Sequence, residues 1–315
     1  MQGGAGAPIL SVLIPTWNRV GPVVSAVQSV GDQSAAVEII VVDNGSEDAL
    51  FRELAAALAT FPAVRLFRNE QNIGMVRNWN RCMTHARGVW QGLLCSDDRY
   101  HPGAVERALP ILASLPEPAL VVQDPTIGDA VQYLPAGEST VRGLRLPIAS
   151  GNFWHRQVVE RLGPFDERFE YSADAEYWYR IACSFPVVKV AEPFAVYEQH
   201  ETNYMWQTWR KADYLEQTEL LARTVAGHMF HGHPAAEERI DREVEQRIWS
   251  TLMTIIENTF LHAGRGDICA RYLAVAWQRA GTMQRRKEIA LRLLYAVKHR
   301  LDAALGRGQR KEGKG

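Results

Sequence analysis

The chain has 315 residues, of which 47% are apolar, and its 35 Lys and Arg against 36 Asp and Glu leave a net charge of −1. That length suits one large α/β domain with an appendage, or two modest domains, and the apolar share is enough for a sizeable core. The near-zero charge argues against a nucleic-acid partner. Four scattered cysteines (Cys82, Cys95, Cys183, Cys269) with no CxxC pair argue against a zinc cluster or disulfide framework and fit a reducing cytosol.

Residues 1–8 are Gly/Ala-rich, lack a signal-peptide plan and read as flexible. Leu10 to Ile14 (LSVLI) reads as a buried strand, and Pro22 to Val30 as a helix with proline at its start. Glu38 to Val42 (EIIVV) reads as a second strand, Asp48 to Thr60 as an alanine-rich helix, and Val64 to Phe67 as a third strand. Gly74 to Arg87 has helical length with Gly88 as its expected C-cap. Val89 to Leu94 and Ala119 to Gln123 complete five strands. Pro125 to Pro147, rich in Gly and Pro, reads as a long loop or hairpin over a site. From Tyr204 the pattern is helical, with helices expected over Glu237 to His262 and Met283 to Leu305, and 306–315 read as a disordered tail. No apolar run reaches the roughly 20 residues that span a bilayer, so the expectation is a cytoplasmic protein, with contact at the inner face of the membrane left open.

Strands alternating with helices imply an α/β fold with a mainly parallel sheet covered on both faces. Ligands of such sheets bind beyond the carboxyl ends of the strands. Following the first four strands come Pro15-Thr16-Trp17-Asn18-Arg19, Asp43-Asn44-Gly45-Ser46, Arg68-Asn69 with Asn72 and Gly74, and Cys95-Ser96-Asp97-Asp98. Polar groups thus converge on one edge.

Asp97 and Asp98 suit a divalent cation that would offset charge on a diphosphate leaving group; the plain alternative is a solvated turn. Asp43 suits a base N–H or ribose hydroxyl, or equally an Asx-turn. Asp174 or Glu176 could act as general base, or simply acidify a helix start capped by Ser172. His200 could assist a metal or phosphate. His228, His231 and His233 read as an exposed turn. Arg285, Arg286, Lys287, Arg292, Lys298 and Arg300, set among apolar residues, read either as a basic surface for anionic membrane or as the solvated face of a packing helix.

In this order, SVLIPTWNR, EIIVVDNGSED, NxGMVRNWNR, ARGVW and SDD, with the later NFWHRQVVERLGPFDERFEYSADAEYWYRIA, resemble family 2 glycosyltransferases of GT-A fold over residues 9 to 204. The resemblance implies a donor half near 9–123, an acceptor half near 124–204 and a helical region at 205–305. It implies that Pro15, Thr16 and Arg19 line a nucleotide pocket and that Asp43 binds the base. Asn72, Gly74, Asn80, Ser96, Asp97 and Asp98 would shape the donor site. Asp97, with His200, would hold Mn²⁺ or Mg²⁺, and Asp174 would be the catalytic base of an inverting displacement. The family's Asp-x-Asp reads Cys95-Ser96-Asp97 here, so the first acid is replaced by a thiol. The implied donor is a nucleotide sugar, by default a UDP-sugar, and the implied acceptor is a glycan or lipid-linked hydroxyl in surface polysaccharide assembly. Homodimerisation and peripheral membrane contact through the C-terminal helices are compatible with it. Two competing readings are a sugar-1-phosphate nucleotidyltransferase, disfavoured by PTWNR where a Gly-rich basic loop is needed, and an inactive sugar-nucleotide-binding protein, suggested by Cys95.

Overall fold

The computed structural model describes residues 7–31, 36–127, 131–144, 149–196, 208–211, 213–261 and 266–304. They divide into two compact units, one formed by the described residues up to 196 with 228–231, the other by 208–227 and 232–304.

The first unit is built on an eight-stranded mixed sheet. Its parallel half is made by β1 (Leu10–Thr16), β2 (Val37–Asp43), β3 (Val64–Arg68) and β4 (Trp90–Leu93). Every residue of β1 and β2 is buried, which follows from helices covering both faces and explains the unbroken apolar runs. The helices between these strands are α1 (Gly21–Val30), α2 (Asp48–Leu58) and α3 (Met75–His85). After α4 (Ala104–Ser114) come β6 (Leu120–Gln123), β7 (Val131–Leu134), β8 (Phe153–His155) and β9 (Val187–Val190), and the sheet order is β3-β2-β1-β4-β8-β6-β9-β7. β8 runs antiparallel to both β4 and β6, and β7 antiparallel to β9, while β6 and β9 are parallel, so the far half is mixed. A two-stranded ribbon pairs β5 (Arg99–Tyr100) with β10 (Ala195–Val196). The remaining helices of this unit are α5 (Glu138–Gly143), α6 (Arg156–Leu162) and α7 (Ala173–Ser184).

Two expectations are corrected. The segment read as a loop from Pro125 carries a 3₁₀ turn, β7 and α5, because Thr140, Val141 and Leu144 turn inward and anchor it. Gly88 is not a left-handed helix cap; α3 ends at an extended Ala86. Gly88 is required by proximity instead, because a Cβ there would lie 2.7 Å from the Ser11 backbone nitrogen.

The second unit is helical: α8 (Tyr214–Met229, whose last two residues group with the first unit), α9 (Ala236–Leu261), α10 (Gly266–Arg279) and α11 (Met283–Ala304). Ile248, Leu252, Ile256, Tyr272 and Ile289 centre its core, and the Tyr272 hydroxyl donates to the Trp209 carbonyl at 2.9 Å. No described helix is long and apolar enough to cross a membrane.

Candidate active site

The carboxyl ends of β1, β2, β3 and β4 share one edge, as their parallel registers require. Pro15 and Thr16 close β1, and the Thr16 hydroxyl is buried without a hydrogen-bond partner among the described residues. Asn18 adopts φ 51°, a left-handed conformation that asparagine tolerates. Its N–H donates to the Ser46 hydroxyl at 2.7 Å, which ties the β1 turn to the β2 turn.

Asp43 is fully buried. Its carboxylate accepts from the Ser46 N–H at 3.1 Å and from the Ser46 hydroxyl, and pairs with Arg68 at 3.4 Å. Asp43 thus holds the turn after β2 through Ser46, three residues on, and not through the i+2 bond of an Asx-turn. Gly45 (φ 69°) makes the turn possible, since a Cβ there would lie 2.4 Å from the Gln71 backbone carbon.

A ladder of side-chain amides fixes the loop that follows β3. Asn69 Nδ2 donates to Asn44 Oδ1 and Asn78 Oδ1 at 3.0 and 2.9 Å, and Asn44 Nδ2 donates to Asn72 Oδ1 at 3.0 Å. Asn72 Oδ1 also accepts the Gly74 N–H at 2.9 Å. Gly74 stands at φ 90° before α3. Asn80 faces elsewhere: its amide donates to the Phe165 carbonyl and accepts the Phe165 N–H, so it clamps α3 to the 165–167 segment.

Beyond β4, the Asp98 N–H closes a turn onto the Cys95 carbonyl at 2.9 Å. Ser150, buried and distant in sequence, accepts the Cys95 N–H at 2.9 Å and donates to Asp98 Oδ2 at 2.5 Å. Asp98 and Ser96 are thus interior, while the Asp97 carboxylate is one-third exposed and meets Arg19 at 2.7 Å. Burial, then the negative charges of Asp98, Asp97 and Asp174, push the Cys95 thiol well above its ordinary range, so it stays protonated. The same repulsion places Asp174 in electrostatic reach of the 95–98 turn.

Asp174 stands in the first turn of α7. Ser172 occupies the cap position but forms no side-chain cap bond; Asp174 Oδ1 instead accepts the Ala175 N–H at 2.8 Å. Burial lifts the Asp174 carboxyl to about 6. Glu176 differs: it is buried and held by Arg180 through bonds of 2.7 and 2.9 Å, and Arg180 also donates to the Leu162 and Pro164 carbonyls. Its carboxylate is structural, which leaves Asp174 as the base candidate on this helix. His200 lies outside the described residues. The histidines read as an exposed turn, His228, His231 and His233, are exposed, but His228 belongs to the last turn of α8, 3.9 Å from Glu176 Oε1, and Phe230 between His228 and His231 is buried.

Among the described residues no group of three or more His, Cys, Asp or Glu could hold a metal. The Arg19 guanidinium on Asp97 shows that this carboxylate faces positive charge. The donor set fits a hard cation held by one protein carboxylate, with phosphate and water oxygens completing the shell.

Ser150, the asparagine ladder and the Glu176–Arg180 pair escaped the sequence reading. Ser150 acts 52 residues from its partner, and no local spacing announces that. The ladder had a signal in the cluster of Asn44, Asn69, Asn72 and Asn78.

An α/β sheet with a nucleotide-type edge, an acidic turn after β4 and a carboxylate on a facing helix defines the GT-A class of sugar-nucleotide folds. Residues 11–151 match the family model described as Glycosyl transferase family 2, and over this segment the chain is similar to that family. An uncharacterised glycosyltransferase of Rickettsia typhi is 25% identical over 202 residues, 57% of this chain and 60% of that one. The succinoglycan biosynthesis protein ExoO of Rhizobium meliloti is 32% identical over 103 residues, 32% of this chain and 29% of that one. The crystal structure of S. aureus TarS 1-349 in complex with UDP-GlcNAc superposes with TM-score 0.57 at 12% identity, covering 96% of this chain and 93% of that one, a likeness of fold. The matched region spans between 31% and 60% of the length of the first curated relatives.

Proposed function

We propose that the chain transfers a sugar from a nucleoside-diphosphate sugar to an acceptor hydroxyl, with inversion at the anomeric carbon. The observation that carries this reading is Asp174: a desolvated carboxyl that accepts the Ala175 N–H and forms no ion pair among the described residues, lifted to about 6, and in electrostatic reach of the acidic turn after β4. A base with that affinity is mostly ionised at neutral pH yet binds a proton far better than an ordinary aspartate, which suits removal of the acceptor proton as the new bond forms. The family match over residues 11–151 and the UDP-GlcNAc complex of the structural neighbour support a nucleotide-sugar donor, with a UDP-sugar as first choice.

The chain's residues then divide the work. Thr16, with its unused buried hydroxyl, Asp43 and the 69–74 loop would receive the nucleoside. Arg19 would turn from Asp97 to the diphosphate, and Asp98, locked by Ser150, would hold the turn in shape. Asp97, with phosphate oxygens, would hold Mn²⁺ or Mg²⁺, which when bound offsets charge on the departing diphosphate. Asp174 takes the acceptor proton. The likeness to ExoO, named for succinoglycan biosynthesis, supports polysaccharide assembly as the setting, with a glycan or lipid-linked hydroxyl as the acceptor of this proposal.

The test is Asp174→Asn, read as both turnover and donor binding across UDP-, dTDP- and GDP-sugars with and without Mn²⁺. Transfer is expected to fall by about 10²- to 10⁴-fold with donor affinity nearly unchanged. Normal turnover by the variant would remove Asp174 as base. Donor binding without transfer by the wild type, over a broad acceptor panel, would favour the inactive binding protein.

A further inference from the structure

The last helix of the second unit presents apolar side chains outward as well as inward. Ile289 is buried and Leu293 packs partly against the core of α9 and α10. On the opposite arc Met283, Leu291 and Leu294 are 67%, 66% and 65% exposed, and Tyr295 and Val297 are exposed beside them. At 100° per residue, Met283, Lys287, Leu291, Leu294 and Tyr295 fall on one face. Trp277 of α10, also exposed, flanks it and carries Arg286 over its ring at 5.4 Å. Such a run of large apolar groups is more than the scattered exposed residues of an ordinary surface.

The cations of α11 are sorted by face. Arg285 turns inward to Glu245 at 3.5 Å and over the Trp249 ring at 4.8 Å, and Arg292 turns to Glu257 at 2.9 Å. These arginines join α11 to α9. Arg286 and Lys287 remain exposed next to the apolar arc. Over residues 283–315 the sequence gathers ten basic residues against three acidic ones, although the whole chain has net charge −1. Nearly a third of the cations thus lie in about a tenth of the length.

We propose that this face of α11 docks on an anionic lipid surface, with Met283, Leu291, Leu294 and Tyr295 entering the headgroup boundary, Trp277 at its edge, and Lys287 and Arg286 on lipid phosphates. An apolar arc with exposed lysine and arginine beside it is the composition of an interfacial helix, and the charge asymmetry selects an anionic partner. A second copy of the chain fits less well. A two-fold pairing of α11 helices would bring the same basic segment of both copies together, like charge against like charge. The surface belongs to the second unit and stands whatever the first unit catalyses.

The test is flotation of the full chain with vesicles of phosphatidylcholine alone and of phosphatidylcholine mixed with phosphatidylglycerol, with sedimentation velocity in parallel. Wild type is expected to float with the anionic vesicles only, and to lose that binding as salt rises. The double variant Leu291→Glu/Leu294→Glu should weaken binding by about tenfold or more through lost apolar insertion. Lys287→Glu, which leaves every apolar contact in place, should weaken it by about fivefold or more. All three proteins should melt alike, because the changed side chains are exposed. Failure of wild type to float with anionic vesicles overturns the proposal. So does unchanged flotation of both variants. A wild-type dimer that the leucine variant converts to monomer, with no vesicle binding, would make a second copy the occupant and overturn it as well.

Discussion

Two carboxylates of the first unit, Glu38 on β2 and Asp174 on α7, are treated in opposite ways. Glu38, near the amino end of β2, accepts from the Ser11 hydroxyl at 2.7 Å, from Arg65 at 2.9 Å, and from the backbone and side chain of Arg87 at 2.6 and 3.1 Å. Burial works against its charge, but the bonds from Ser11, Arg87 and Arg65 outweigh that and hold its carboxyl below the usual range. Asp174, on α7, is desolvated and among the described residues receives only backbone donors, so its carboxyl rises to about 6. A carboxylate that joins strands is saturated with donors; one that must take up a proton is kept short of them. The contrast separates architecture from chemistry without reference to any relative.

Asp174→Asn should give the largest break in that contrast, and in two directions. Turnover is expected to fall by about 10²- to 10⁴-fold. Stability is expected to rise. A carboxyl raised from 3.8 to about 6 in the folded state favours folding when protonated, and that contribution is lost as pH rises through about 6. Above that pH the ionised group costs up to about 3 kcal/mol, and less where water relaxes the site. The variant should therefore melt higher than wild type at pH 8 and the same as wild type at pH 4. Equal melting at both values would show that Asp174 is better solvated than its setting indicates. In wild type, the acid limb of the turnover profile should fall near pH 6.

Glu38→Gln should act only on stability. It removes the charge that Arg65 and Arg87 share, at a site where the carboxylate is buried but the arginines reach solvent. The expected loss is about 2–4 kcal/mol, since a buried network loses one partner while the exposed cations keep hydration. The sign with pH is opposite to that of Asp174. A depressed carboxyl stabilises above its unfolded value and loses that contribution as pH falls through its folded value, so the gap between variant and wild type should close in acid. Thermal melts at pH 7 and pH 3.5 check both parts, and donor affinity should be unchanged.

The same contrast shows what the chain discloses in one dimension. β1, β2 and β4 were legible because burial on both faces forces unbroken apolar runs, and their carboxyl ends then located Thr16, Asp43 and Asp97 by topology alone. Antiparallel β8 was not, because Phe153-Trp154-His155 is too short to show a period. Nor could spacing decide between Asp174 and Glu176, two residues apart on one helix start. The decision lies in Arg180, one turn after Glu176, and in the Leu162 and Pro164 carbonyls that only the fold brings to it. Ser150 is the same kind of case: a serine is informative only once Asp98 is seen across from it.

Asn69→Ala should have a smaller effect than either carboxylate change. It strips the Asn44 and Asn78 side-chain oxygens of the donor that links them, in a loop whose other bonds remain. A loss of about 1–2 kcal/mol is expected, with faster proteolysis within 70–74 as the direct readout. Unchanged cleavage would show that Gly45 and the Asn44 bonds to Ile73 and Gly74 hold the loop unaided.

Arg19→Gln should change stability least. Arg19 and Asp97 form an ion pair as short as any around Glu38, yet each side chain is a third or more exposed. A pair in that setting contributes at most about 1 kcal/mol, because solvent screens the attraction and ordering two side chains costs entropy. The melting temperature should therefore barely move, while binding of a nucleoside diphosphate weakens if Arg19 serves the donor. A loss as large as that of Glu38→Gln would mean that the pair holds the β1 and β4 turns together, and would remove the reason for assigning Arg19 to the diphosphate.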